Sequence, residues 1–314
     1  MIKSRLFLVG LTLCFCFATA VNLAAQTSSD PYLTKNFTLN GPGELEVETS
    51  GSSVAVTGRS GNEVLVEMYV KHNGKEISSS TAEVEDLLDN YVIDISQSGN
   101  TITLKVKGKS GLNWKEMNKL NLSFKLQVPE KMSTDFESSG GSISLTGVAG
   151  DQNVKTSGGS IRIADSSGKI STRSSGGSFS LSQFTGEVDV QTSGGAVNIS
   201  GMSGVLAIGT SGGSVNLEDI SGGIDAQTSG GSIRANLSEV DEAISFRSSG
   251  GSISLAVPAQ LGLNLDLRGG RVNTKLSNFD GEVKRDLIVG ELNGGGHLLS
   301  MQSSGGSINL EFVN

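Results

Sequence analysis

Cysteine, proline and basic clusters are scarce in this 314-residue chain, and each scarcity excludes a class of protein. The 2 cysteines, Cys14 and Cys16, both fall within the first 25 residues, so a chain processed there has no disulfide and no cysteine-based metal site. With 4 prolines against 43 glycines and no Gly-X-Y period, a collagen-like triple helix is excluded. Acidic residues outnumber basic ones 32 to 24, and lysine and arginine form no run of five or more. Nucleic acid and anionic lipid surfaces are therefore not expected partners. Beyond the first 25 residues no stretch of 18 apolar residues occurs, so no membrane insertion is expected after processing.

The first 25 residues read as a secretory signal peptide. Lys3 and Arg5 give a positive start, and an apolar run from Leu6 to about Ala18 follows. The small-residue segments Ala18-Thr19-Ala20 and Leu23-Ala24-Ala25 make cleavage after Ala20 or after Ala25 fit equally. The run is shorter than the ~20 residues of a membrane span. Leu13 and Phe15 stand before the cysteines where a lipoprotein needs small residues. Removing Lys3 and Arg5 leaves 22 basic residues against 32 acidic ones, a net charge of −10. The expected destination lies across the inner membrane: periplasm, cell surface or extracellular space.

A hydrophobic content of 36% is too high for a disordered chain, and the apolar residues recur regularly. A Gly-Gly step begins at Gly140, Gly158, Gly176, Gly194, Gly212 and Gly230, at intervals of 18 residues, then at Gly250, Gly269 and Gly305 after 20, 19 and 36. Counting from each first glycine, position three holds Ile143, Ile161, Phe179, Val197, Val215, Ile233 or Ile253, and position five holds Leu145, Ile163, Leu181, Ile199 or Leu217. Position ten is glycine again, and positions twelve and fourteen are apolar in most copies, as in Val188 and Val190. Spacing by two is the strand period, and glycine between the clusters permits the chain to turn. Eighteen residues extend over at most ~60 Å, enough for one narrow two-sided or three-sided coil. Such coils bury their apolar faces only by stacking, so the fold class is all-β, a β-solenoid of 18-residue coils over residues 136–314. Residues 238–242 read as a corner loop lengthened by two residues, and residues 280–296 as an irregular loop because the alternation lapses there.

Residues 26–135 form a β-rich N-terminal region with the same grammar in degenerate form. Leu45, Val47 and Thr49 alternate before the corner Ser50-Gly51-Ser52-Ser53, and Val54 and Val56 follow. Ser98-Gly99-Asn100 between two alternating stretches predicts a hairpin. Ser80 and Glu83 have capping-box spacing, and Val84, Leu87, Leu88 and Tyr91 share a face, so a short helix is predicted over 81–91 that covers the open edge of the solenoid.

Leu126-Gln127-Val128-Pro129, followed by Ser139-Gly140-Gly141-Ser142-Ile143-Ser144-Leu145 and its copies, resembles the bacterial domain family labelled "putative adhesin", a domain of unknown function. The resemblance covers roughly residues 35–314 and implies a solenoid-like β fold. Its motif is structural, so it carries over no catalytic or binding residue.

Candidate chemistry is thin. Gly209-Thr210-Ser211-Gly212-Gly213 matches a G-x-S-x-G nucleophile pattern, but that motif needs a strand-to-helix turn and a nearby histidine. Here an alternating stretch, Val215 to Leu217, follows, and His72 and His297 are the only histidines. Asp165 and Asp219 share a repeat position but lie three coils apart, about 14 Å, too far to share a calcium ion. Serine recurs at positions two and seventeen, a ladder of hydroxyls suited to glycan unless it serves local backbone groups. Trp114, alone in a polar segment, is the candidate contact residue. No catalytic residue, cofactor or metal is expected. The expected function is that of a non-enzymatic adhesin or cell-envelope interaction protein, partnered by an unidentified protein or glycan. The alternatives are a soluble periplasmic scaffold or sensing module and a glycan-binding module.

Overall fold

Apolar side chains repeated every 18 residues are buried only when coil lies on coil, and the computed structural model has that arrangement. The structure describes residues 30–109, 120–237 and 239–313. Ile143, Ile161, Phe179, Val197, Val215, Ile233 and Ile253 stand in register on successive parallel strands. Positions three and five face inward from one long side of each coil, and positions twelve and fourteen from the other. A short third side joins them. Its inward residue stands at position eight, where Val148, Ser166, Phe184, Met202 and Ile220 are all buried. The protein is thus a β-solenoid whose core is one continuous cluster along the stack.

Two bends in each coil set off this short side. The first lies at position seven, where Gly147, Asp165, Gln183, Gly201 and Asp219 all have φ between 50° and 70°. Aspartate tolerates this left-handed conformation better than most residues. The shared position of Asp165 and Asp219 is therefore a backbone corner. The second bend is the glycine at position ten, with φ from 111° at Gly222 to 142° at Gly150.

The chain does not stack in sequence order at its ends. On one long side Gly43–Thr49 lies between Thr101–Gly108 and Met132–Ser138. On the other, Ser53–Arg59 lies between Leu120–Pro129 and Ile143–Thr146. The last segment behaves alike: His297–Ser303 inserts between Ile244–Ser248 and Leu263–Arg268, and Ser307–Val313 between Ile253–Pro258 and Arg271–Asn273. These pairings are all parallel. Strand Met132–Ser138, which spans position 135, also pairs with Ala149–Thr156, so the ladder runs through that point without a break.

Antiparallel strands close both ends. At the N-terminal end they are Leu33–Thr38 and Glu63–His72 on one side and Tyr91–Ser98 on the other. The turn Gly99-Asn100 makes the predicted hairpin, with Gly99 at φ 60°. The Lys35 ammonium donates to the Ile95 carbonyl at 2.7 Å, and the Gln97 amide to the Thr38 carbonyl at 2.8 Å. Those bonds tie the two outermost strands across the end and occupy carbonyls that an incoming strand would seek. The helix between the sides is Ala82–Leu88, with Val84 buried and Leu87 and Leu88 packed against the core. Its cap is Thr81, whose Oγ1 accepts from the Val84 amide, and not Ser80, whose hydroxyl turns to Glu85.

At the far end the expected loop over 280–296 is instead largely an antiparallel hairpin, Phe279–Val283 with Leu287–Leu292, laid on Leu263–Arg268. Its outer strand is exposed at four of five positions, so it has no apolar alternation to read. Around the lengthened corner, Val240 turns into the core.

Candidate functional site

Where each coil closes, positions fifteen, sixteen and seventeen divide three tasks. Position sixteen is a buried or half-buried hydroxyl: Thr156, Ser174, Thr192, Thr210, Thr228 and their counterparts Ser248 and Ser303. The Thr210, Thr228, Ser248 and Ser303 oxygens accept from the amides of Gly213, Gly231, Gly251 and Gly306 at 2.9 to 3.1 Å. Thr228, Ser248 and Ser303 also donate to carbonyls of the preceding coil at 2.8 to 3.1 Å. Only a hydroxyl accepts and donates at once within so small a volume. These members of the row stitch the Gly-Gly corner, whereas the buried Thr192 Oγ1 has no partner among the described residues.

Position seventeen differs. Ser50, Ser139, Ser157, Ser175, Ser193, Ser211, Ser229, Ser249 and Ser304 are exposed in nine consecutive coils. None of these hydroxyls bonds another described residue. The local-backbone explanation thus holds for most of position sixteen, Thr192 excepted, and in part for position two, where Ser53 and Ser252 accept from backbone amides at 3.2 Å. It fails for position seventeen.

The serine row forms one wall of a groove along the stack. Position fifteen forms the other wall, with Lys155, Arg173, Gln191, Gln227, Arg247 and Gln302 among its members, and Lys107, level with Ser50, lines the groove at the N-terminal end of the stack. The volume is about 1080 Å³. Ten coil positions at ~4.8 Å per step give a length of roughly 43 Å. Gly209 interrupts the wall because the Gln191 side chain lies over it; a Cβ there would meet Gln191 Oε1 at 2.2 Å.

Charge in the groove is arranged unevenly. Lys107 pairs with Glu48, and Lys155 pairs with Glu137 at 3.1 Å. Arg247 reaches outside the groove to Asp225 at 3.1 Å, and Arg173 has no carboxylate partner among the described residues. Among the described residues four cations against two carboxylates leave the lining positive, in a chain of formal charge −8. Hydroxyls and amides that both donate and accept, beside a net positive wall, suit a long polar or anionic ligand.

The structure separates the other sequence candidates. Trp114 lies outside the described residues. Ser211 stands in the serine row, and its turn leads into strand Val215–Ser221, not into a helix. His72 ends strand Glu63–His72, 3.9 Å from Glu83, and His297 begins strand His297–Ser303. Asp189 accepts from Gln191 at 3.0 Å. Among the described residues no three histidine, cysteine, aspartate or glutamate side chains converge on one point.

A family model described as Toastrack DUF4097 matches residues 26–311. No curated protein matches the sequence. Among solved structures, the chain is similar to one described as a "putative adhesin" from Bacteroides fragilis, at 12% identity and a TM-score of 0.42, covering 88% of this chain and 96% of that one. A second "putative adhesin", from Parabacteroides merdae, has 12% identity, a TM-score of 0.35 and coverage of 90% and 96%. A "putative cell adhesion protein" from Clostridium sporogenes has 10% identity, a TM-score of 0.23 and coverage of 90% and 100%.

Proposed function

The chain belongs to the Toastrack DUF4097 family, and we propose that it is an exported, non-enzymatic protein that binds a component of the cell envelope or of a cell surface along its serine-walled groove. The groove carries this reading. Nine exposed serines without internal partners stand on a rigid parallel ladder, so the row is ordered before any ligand arrives. A site ordered in advance loses little entropy on binding. Each serine contributes one donor and two acceptor directions, and the glutamines and cations opposite complete a polar channel. Export is supported by the basic start, apolar run and small-residue end of residues 1–25. Surface adhesion and capture of an envelope protein in the periplasm are two settings for the same groove.

The test is co-sedimentation of purified residues 26–314 with envelopes isolated from the producing cells. Arginine at positions 193 and 211 fills the channel from exposed sites without touching the core. The double variant Ser193→Arg, Ser211→Arg is expected to bind at least about fivefold more weakly, the effect of roughly 1 kcal/mol. Unchanged binding by that variant, or no binding by the parent protein, would overturn the groove as the site.

A further inference from the structure

We propose that the outer face of the strands running from Ile161 to Asn236 is a second binding surface, built for an extended anionic polysaccharide. It lies on the long side that carries positions three and five, away from the serine row, and holds a trough of about 490 Å³. Arg162 stands at one end and Arg234 at the other, on strands four coil steps apart. At ~4.8 Å per step their separation is ~19 Å.

Both arginines are exposed, and neither has a carboxylate partner among the described residues. In a chain whose acidic residues outnumber its basic ones, two unpaired guanidiniums facing one trough are available to anions. Between them the face is nearly free of charge. The Asn216 amide donates to Asn198 Oδ1 at 2.9 Å, which fixes both side chains and leaves the Asn198 N–H groups and the Asn216 oxygen free for a ligand. Ser200 stands beside them.

Guanidinium forks at the ends meet carboxylate or sulfate groups, and amides and hydroxyls between them meet sugar hydroxyls. Among the described residues no aromatic side chain lines the trough, so the recognition proposed rests on hydrogen bonds and charge and not on stacking. Glu218 is the one opposing charge there and is also unpaired among the described residues. It repels an anionic chain and so supplies an internal control.

The experiment measures binding of purified residues 26–314 to polygalacturonate, with dextran as the neutral polymer. Polygalacturonate is expected to bind and to weaken as salt rises. Arg162→Ala with Arg234→Ala should weaken it about tenfold, and Glu218→Gln should tighten it about twofold to threefold. All three side chains are exposed, so unchanged melting curves will verify the fold. Equal affinity for dextran, no binding of either polymer, or binding that responds to Arg173→Ala in the groove but not to the trough variants would each overturn the proposal. The last outcome would leave the groove standing as a site, so the two assignments fail separately.

Discussion

A chain ended after Gly296 is expected to lose cooperative folding. Residues 297–313 are last in sequence but second from the end of the stack, paired on both edges of both long sides. Removing them takes away Leu299, Met301, Ile308 and Leu310, all buried. At roughly 1.5–3 kcal/mol per side chain, that burial contributes on the order of 6–12 kcal/mol. Whole domains are stable by about 5–15 kcal/mol. The truncation also separates Ile244–Ser248 from Leu263–Arg268, leaving two unpaired parallel edges, the surfaces most prone to aggregate. Guanidinium titration followed by circular dichroism is the measurement. The full chain should give one sigmoidal transition and the truncated chain none. A cooperative transition at the same midpoint for both would contradict the inserted topology. The same arrangement means that the stack is incomplete until residues 297–313 are in place.

The second large effect separates two adjacent glycines. Gly195→Ala is expected to destabilise the protein by about 3 kcal/mol or more, whereas Gly194→Ala should change stability by less than about 1 kcal/mol. Neither glycine has a positive φ, so conformational freedom does not distinguish them. Approach does. A Cβ on Gly195 would lie 1.8 Å from the Gly177 carbonyl oxygen of the coil below, while one on Gly194 would lie 3.6 Å from the Ser175 oxygen. The clash recurs at Gly159, Gly213, Gly231 and Gly251, at 1.5 to 2.0 Å from backbone oxygens. Those carbonyls sit at the corner where one coil rests on the next, so relief requires the coils to part. Thermal melts of both variants check the prediction; equal losses would show that the second glycine is not the point of contact.

The repeat made the long sides legible because positions three, five, twelve and fourteen alternate without interruption. Position eight escaped because the left-handed residue before it resets the alternation, so Phe184 and Met202 fall out of step with Leu181 and Ile199. The order of the end coils was not legible at all. Parallel pairing of Gly43–Thr49 with Met132–Ser138 joins strands far apart in the chain, and no local pattern encodes it. The hairpin over 279–292 was missed because its outer strand is exposed and lacks an apolar face. In the candidate site the serines were visible as letters. Their roles were not, because Thr228 and Ser229 read alike in sequence while one hydroxyl ties two coils and the other faces the groove. Trp114, the expected contact residue, lies outside the described residues.

Under the proposed function, this chain works outside the cytoplasm as a binding protein. The most direct test exposes spheroplasts to a membrane-impermeant amine reagent and then isolates the chain. Lys71, Lys155 and Lys169 are well exposed, with side-chain accessibilities of 45%, 48% and 61%, so the folded protein has sites to react wherever the reagent reaches it. Labelling before the cytoplasmic membrane is broken, with a cytoplasmic marker unlabelled, is the predicted result. Labelling only after that membrane is broken would place the chain in the cytoplasm and contradict the account.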